Sequence, residues 1–235
     1  MSTGVGVMAR APSSGGKTRL APHLSPSRLL ALRVALLTDT LTALAAVPGV
    51  TIFFTPDDAE AEIAALVGRT HRSAPTPALL AQGSGDFGAR MLRALQFLLN
   101  VTVSDTVVNQ PRCLTPKPAL LIGSDIPLLT PDHLREAEDT LRTRGGLVLG
   151  PADDGGYYLI GMTEPRVELF EGIEWGTGSV LTDTLRAAER AGVEARLARS
   201  AYDVDTIDDL LRLERDLKWA PSPVGAAMRR WFSDG

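Results

Sequence analysis

Short apolar segments alternate with longer amphipathic segments along most of this 235-residue chain. Val50–Thr55, for example, has the length and composition of a buried strand, and the segment from Ala59 to Val67 has a helical pattern. Strands that alternate with helices are joined by right-handed crossover connections, which make neighbouring strands parallel. The sequence therefore predicts an α/β fold, with a Rossmann-like, mostly parallel sheet and helices on both of its faces.

The chain length is suited to one large domain. We expect a single domain over residues 1–219 and a peripheral C-terminal tail over residues 220–235. Residues 101–118 are polar, contain prolines and have no hydrophobic period, so they are interpreted as a surface insertion within the domain.

Composition excludes several classes of function. A net charge of −4 argues against a nucleic-acid-binding protein, which would need a basic face. The single cysteine excludes an intramolecular disulfide framework and a multi-cysteine zinc site. We expect no membrane span and a cytoplasmic location, because the chain has neither an apolar stretch of spanning length nor a cleavage-type signal.

A carboxylate stands just beyond one of the predicted strands. The apolar run Leu120–Ile122 leads through Gly123 and Ser124 to Asp125, and Pro127 stops the strand from continuing. Ligands of open α/β sheets bind beyond the carboxyl ends of the strands. Mg²⁺ in proteins takes one or two carboxylates, with substrate phosphates and water as its other ligands. Asp125 is therefore a candidate metal ligand, and the alternative is an aspartate that caps a helix or a turn.

A glycine–lysine loop follows the first strand. The segment Ala11–Thr18 nearly matches a P-loop, which would continue directly into a helix. Pro22 argues against that helix, because proline in a helix interior costs about 3 kcal/mol. We expect an extended loop, with the helix starting at Ser25, whose side chain is a good N-cap. Such a loop can bind phosphate through glycine amides and a lysine, although it is also typical of a flexible surface loop.

A second polar cluster joins two apolar strands. The segment Asp153–Tyr158 contains two acids, two glycines and two of the three tyrosines of the chain. Asp-Gly-Gly is a turn signal, so a tight turn explains the segment without any function. The alternative is a ligand site, in which Asp154 accepts a proton or a hydrogen bond from a hydroxyl group.

Two more aspartates precede the last long predicted helix. Thr206 and Asp209 form a plausible capping box at its start. That cap leaves Asp203 and Asp205 unexplained. If Asp205 meets Asp125 at the edge of the sheet, the two carboxylates can hold one metal ion between them.

Taken in order, these segments resemble a bacterial glycosyltransferase-A-like family of the nucleotide-diphospho-sugar transferase superfamily. They are more distantly similar to the phospholactate and molybdenum-cofactor guanylyltransferases. The resemblance covers nearly the whole chain and keeps the order of the family's motifs. The matching motifs are Gly16–Leu20, Gln82–Gly83, Asp86–Met91, Ile122–Pro127, Gly150–Gly161, Ile173–Trp175 and Asp203–Thr206.

The resemblance implies a role for each of these residues. Asp125 and Asp205 would hold Mg²⁺ or Mn²⁺, and Lys17 and Asp154 would be catalytic. The implied nucleotide-binding residues are Arg10, Gly15, Gly16, Lys17, Arg19, Gln82, Gly83, Arg90 and Ser124. The implied acceptor-binding residues are Asp154, Gly155, Gly156, Tyr157 and Trp175.

The favoured hypothesis is a metal-dependent transferase that uses a nucleotide or nucleotide-sugar donor and a small-molecule acceptor. Glycosyl transfer is slightly favoured, by the family resemblance alone. The alternative within the superfamily is a guanylyltransferase-like nucleotidyltransferase acting on a small phosphorylated or hydroxy acceptor. Two hypotheses from other classes are a P-loop phosphotransferase and a non-catalytic nucleotide-sugar binding protein.

Overall fold

The computed structural model describes residues 3–72, 74–101 and 117–234. Of the predicted surface insertion at 101–118, residues 102–116 lie outside the described residues. No helix within the described ranges is both long enough and apolar enough to cross a membrane.

Strands and helices alternate as the sequence predicts. The strands are β1 (Gly4–Arg10), β2 (Val50–Thr55), β3 (Ala78–Ala81), β4 (Ala119–Gly123), β5 (Leu147–Pro151), β6 (Tyr157–Met162) and β7 (Ala195–Leu197). The helices are α1 (Pro26–Leu44), α2 (Glu60–Thr70), α3 (Phe87–Val101), α4 (Pro131–Arg144), α5 (Val180–Arg190), α6 (Ile207–Leu217) and α7 (Ala226–Ser233).

These strands form one sheet in the order β3-β2-β1-β4-β6-β5-β7. All neighbouring pairs are parallel except those of β6, which runs antiparallel to β4 and β5. The mostly parallel sheet is therefore confirmed. The chain winds from β1 outward to β3 and then returns to the other side of β1, which makes the β1–β4 junction a topological switch point. Ligands of such sheets bind at this junction.

Side chains of the central strands alternate between two hydrophobic cores. Leu120 and Ile122 pack in the core that α1, α2 and α4 cover, whereas Leu121 packs in the core that α3 and α5 cover. This alternation follows from the pleat of a strand, in which successive side chains point to opposite faces. It confirms that helices cover both faces of the sheet.

The segment 220–235 contains α7, which packs against α1. The carboxylate of Asp39 accepts hydrogen bonds from the amides of Ala227 and Met228, at 2.8 and 2.9 Å. The guanidinium of Arg28 lies over the ring of Trp231, 3.7 Å from its centroid. The predicted tail is thus joined to the domain by a buried carboxylate and a cation–π contact.

Candidate active site

Side chains from four strands meet at one edge of the sheet. Arg10 ends β1, Asp125 follows β4, and Asp154 follows β5. Beyond β7, a parallel bridge between Ala152 and Ala201 extends the pairing with β5, and Asp203 and Asp205 come directly after it. Because these strands are parallel, their carboxyl ends all lie at this edge.

Three carboxylates converge at this edge. One oxygen atom from each of Asp125, Asp203 and Asp205 lies within 4.8 Å of the other two, and all three residues are half-buried. The structure thus brings Asp125 and Asp205 together, which is the condition for the predicted shared metal site. Asp203 was missed, although a signal was present: residues two apart in an extended segment point to the same side.

Lys17 neutralises part of this acidic cluster. Its ammonium nitrogen Nζ lies 2.5 Å from Oδ2 of Asp125 and 2.6 Å from Oδ1 of Asp205, and its side chain is only 10 % exposed. Burial lowers the pKa of Lys17, but the two carboxylates outweigh it and raise that pKa above its usual value. Lys17 is therefore charged at neutral pH. In this structure it contacts the carboxylates, whereas the resemblance implies that it faces donor phosphates.

The cluster fits a divalent cation. Three carboxylates face a single ammonium group, so negative charge remains in excess when all three are ionised. Burial, followed by the negative charge of Asp125, raises the pKa of Asp203 to about 7. Clustered carboxylate oxygens are the ligands that Mg²⁺ and Mn²⁺ prefer. Asp125, Asp203 and Asp205 are thus the residues able to hold such an ion.

The glycine–lysine loop is not a P-loop. Gly15, Gly16 and Lys17 all have positive φ angles, of 99°, 102° and 55°. α1 begins only at Pro26, where Oγ of Ser25 accepts a hydrogen bond from the amide of Arg28 at 3.3 Å. No helix therefore starts at the lysine, which rules out the P-loop phosphotransferase hypothesis and confirms the predicted cap.

The loop borders a cavity of about 200 Å³, here called the smaller cavity. One wall of this cavity is formed by α1, through Arg33, Leu36 and Leu37. Arg33 was not among the predicted site residues. Arg19 is exposed and lines neither this cavity nor the one described next. The predicted site residues that line the smaller cavity are Arg10, Gly15, Gly16, Lys17, Ser124, Asp125 and Asp205.

A larger cavity of about 450 Å³ lies beside it. Arg10 and Asp125 line both cavities, so the two are adjacent. The predicted acceptor residues that line the larger cavity are Asp154, Gly156, Tyr157 and Trp175. Arg90 lines it as well, although the resemblance implies that Arg90 binds the nucleotide.

Gln82 is buried, with its side chain turned into the protein. Its Nε2 donates hydrogen bonds to the carbonyls of Phe53 and Ala9, at 2.8 and 3.2 Å, and its Oε1 accepts one from Nη1 of Arg90 at 2.8 Å. The amide of the neighbouring Gly83 donates to Oδ1 of Asp57 at 3.3 Å. Gln82 thus ties the ends of β1 and β2 to Arg90.

Asp154 and Gly155 shape the turn between β5 and β6. Oδ1 of Asp154 accepts a hydrogen bond from the amide of Gly156 at 2.8 Å, which is a typical turn contact. Gly155 has a φ of +86°, and a Cβ atom there would lie 2.1 Å from the carbonyl oxygen of Gly178. Gly155 is therefore needed for close backbone packing rather than for direct contact with a ligand in the larger cavity.

We expect Gly155→Ala to lower the free energy of unfolding by at least about 2 kcal/mol more than Gly176→Ala does. Gly176 has a similar φ of +83°, but a Cβ atom there would meet none of the described residues within 4 Å beyond its chain neighbours, so it carries the backbone strain without the clash. Urea denaturation of both variants measures the difference. Equal losses of stability would contradict the packing role of Gly155.

Comparisons with known proteins agree with this architecture. Residues 38–177 match the family described as "Uncharacterized protein conserved in bacteria (DUF2064)". A phosphoenolpyruvate guanylyltransferase from Mycobacterium sp. (strain KMS) is 30% identical over 203 residues, which is 85% of this chain and 80% of that protein. A 2-phospho-L-lactate guanylyltransferase from Methanothrix thermoacetophila is 27% identical over 205 residues, 86% of this chain and 79% of that protein.

A solved structure of similar fold is described as a nucleotide-diphospho-sugar transferase from Desulfovibrio desulfuricans G20. It superposes with a TM-score of 0.79 and 28% identity, and the match covers 98% of this chain and 95% of that one. The predicted superfamily and fold are thus confirmed. The preference for glycosyl transfer finds no specific support, because the two relatives named above are guanylyltransferases. The chain therefore belongs to the DUF2064 family and is a transferase of the nucleotidyltransferase type.

Proposed function

We propose that this protein transfers a guanylyl group from GTP to a small phosphorylated acid, with Mg²⁺ or Mn²⁺ held by Asp125 and Asp205. The observation that carries this proposal is the convergence of three carboxylates beside a lysine at the β1–β4 switch point. The nucleobase and the acceptor class are taken from the names of the relatives.

When bound, the metal ion would neutralise the triphosphate and the charge that develops on the departing pyrophosphate. Asp125 and Asp205 would be its protein ligands, and Asp203 would add negative charge beside them. Lys17 lies within hydrogen-bonding distance of both ligands, so its ammonium is close enough to turn from the carboxylates to a phosphate. The positive φ angles of Gly15 and Gly16 turn the loop around the smaller cavity, where the donor phosphates would lie.

In the reaction, an oxygen of the acceptor phosphate forms a bond to the α-phosphorus of GTP, and the bond from that phosphorus to pyrophosphate breaks. A phosphate monoester loses its second proton with a pKa of about 6, so it is largely a dianion at neutral pH. Such a nucleophile needs no general base. We therefore assign Asp154 to shaping the acceptor cavity rather than to removing a proton.

A nucleotide-sugar donor is the second candidate, because the solved structure with a TM-score of 0.79 is described as a nucleotide-diphospho-sugar transferase. Asp125 and Asp205 would hold the metal ion against the diphosphate in the same way. The difference lies in the reacting bonds. The bond between the sugar and the diphosphate would break, an oxygen of the acceptor would form a bond to the sugar, and the nucleoside diphosphate would leave.

The test is a product assay with purified protein, Mg²⁺, each of the four nucleoside triphosphates, and either phosphoenolpyruvate or 2-phospho-L-lactate. We expect pyrophosphate release with GTP, only when a phosphorylated acid is present, and a guanylylated acid detected by mass spectrometry. Parallel reactions contain nucleotide-sugars in place of the triphosphates. Nucleotide binding without turnover in any combination would overturn the proposal and favour a non-catalytic binding protein.

A further inference from the structure

The larger cavity contains two guanidinium groups that have no carboxylate partner within the described part of the chain. Arg10 and Arg90 both line it, and neither forms an ion pair with any of the described residues. Burial, followed by the charge of Arg10, lowers the pKa of Arg90. The charge of Asp86 acts in the opposite direction on this pKa, but its carboxylate forms no ion pair with Arg90 and accepts a hydrogen bond from the amide of Ala89 at 2.8 Å, at the start of α3. Two cations that line one cavity and form no ion pair with the described residues favour an anion between them.

The two arginines lie on a different side of this cavity from two of its acidic residues. Arg10 ends β1 and Arg90 belongs to α3, whereas Asp154 follows β5 and Asp203 follows β7. In the sheet, β4 and β6 separate β1 from β5. The cavity therefore has a basic side at β1, and Asp125, which is paired with Lys17, lies between that side and the other acids.

Arg90 is held in place before any ligand arrives. Its Nη1 donates to Oε1 of Gln82 at 2.8 Å, and Gln82 is only 4% exposed, with both carbonyl contacts of its Nε2 in the ends of β1 and β2. The ring of Phe87 lies 5.6 Å from the guanidinium carbon of Arg90. A guanidinium fixed in this way loses little conformational entropy when it binds an anion.

Aromatic rings form an apolar wall beside Arg90. Trp175 packs edge-on against Phe87 with ring centroids 5.8 Å apart, and it stacks on Phe170 at 6.3 Å. Gly88 makes this packing possible, because a Cβ atom there would lie 2.6 Å from the indole nitrogen of Trp175. The rings give the cavity an apolar wall, which strengthens an arginine–anion contact by excluding water.

We propose that Arg90 and Arg10 form a carboxylate-binding subsite for the acceptor, and that Gln82 is the positioning residue for Arg90. This inference rests on the proposed function, in which the phosphate of the acceptor is the reacting group. The carboxylate of the acceptor is then free to bind the two arginines. It reassigns Arg10, Gln82 and Arg90 from the nucleotide to the acceptor. Arg90 lines the same cavity as Tyr157 and Trp175, two of the predicted acceptor residues.

The binding test compares 2-phospho-L-lactate with ethyl phosphate, which has the phosphate but no carboxylate, by calorimetry without nucleotide. We expect the parent protein to bind 2-phospho-L-lactate at least about tenfold more tightly, and Arg90→Gln to remove that preference. Arg90→Lys should restore only part of it, because lysine cannot form a bidentate contact with a carboxylate. Arg135→Gln, a change in an exposed i,i+3 ion pair on α4, is the matched control and should leave the preference intact.

Gln82→Leu tests the positioning role. We expect it to raise the KM for 2-phospho-L-lactate about tenfold while the KM for GTP stays within about twofold. A rise in the KM for GTP alone, in either the Gln82 or the Arg90 variant, would place Arg90 at the donor and overturn the inference. The inference would also be overturned if the parent protein bound 2-phospho-L-lactate and ethyl phosphate equally, or bound neither.

The two proposals fail separately. Suppose that the parent protein shows no turnover but prefers 2-phospho-L-lactate, and that Arg90→Gln loses this preference. That result would support the subsite and refute the guanylyltransferase. Guanylyl transfer to a phosphorylated acid that Arg90→Gln leaves unchanged would support the enzyme and refute the subsite.

Discussion

Asp125→Asn is expected to lower kcat/KM for guanylyl transfer by about a thousandfold or more. The substitution keeps the size of the side chain but removes a negative charge that would hold the metal ion against the triphosphate. A metal ion contributes several kcal/mol of transition-state stabilisation, and a loss of about 4 kcal/mol corresponds to about a thousandfold in rate. Steady-state kinetics at saturating Mg²⁺ measure the loss.

Stabilisation by bound nucleotide gives a second measure of the effect of Asp125→Asn. At a hundredfold excess over its Kd, GTP with Mn²⁺ should stabilise the parent protein by about 2.7 kcal/mol, and most of this gain should be absent from Asp125→Asn. The control is Asp132→Asn, which removes an exposed carboxylate that pairs only with Arg135 on α4 among the described residues. If Asp125→Asn and the parent were stabilised equally, Asp125 would not be a ligand of the metal ion.

Lys17→Met is expected to destabilise the metal-free protein by about 2 kcal/mol, which is roughly 4–8 °C in Tm for a chain of this size. Methionine keeps the length of the side chain but leaves Asp125 and Asp205 without their ammonium partner. Removing one partner from a buried ion pair costs about 3–5 kcal/mol, and the expected loss is smaller because Asp125 and Asp205 are 34% and 37% exposed.

The response to Mg²⁺ separates this account from a simple loss of packing. In the parent protein a divalent cation competes with Lys17 for the carboxylates, whereas in Lys17→Met it meets no competitor. Mg²⁺ should therefore raise the Tm of Lys17→Met by more than it raises the Tm of the parent. Lys218→Met, at an exposed position after α6, should change neither the Tm nor the response. A smaller Mg²⁺ response in Lys17→Met than in the parent would contradict the competition.

Local sequence patterns predicted most of the fold and the place of the site. Val50–Thr55 and the apolar run before Asp125 are continuous segments of β-branched, aliphatic or aromatic residues between turn residues, so their strands follow from short-range signals. The strand signal placed Asp125 at the edge of the sheet where ligands bind, but the meeting of Asp125 with Asp205 was only a condition, which the structure fulfils.

Side-chain partners distant in the chain could not be predicted in this way. The ion pairs of Lys17 span 108 and 188 residues, and no local pattern encodes which of several possible anions the ammonium meets. The inward orientation of Gln82 depends on carbonyls at the ends of two other strands. The docking of α7 depends in the same way on Asp39, a buried carboxylate in α1.

The central claim is that Asp125 and Asp205 hold one divalent cation together. Anomalous scattering from crystals grown with Mn²⁺ and a non-hydrolysable GTP analogue tests it most directly. We predict a manganese peak within bonding distance of both carboxylates, with Nζ of Lys17 moved away from the two oxygens that it now contacts. A manganese peak bound elsewhere, with Lys17 still between Asp125 and Asp205, would contradict the claim.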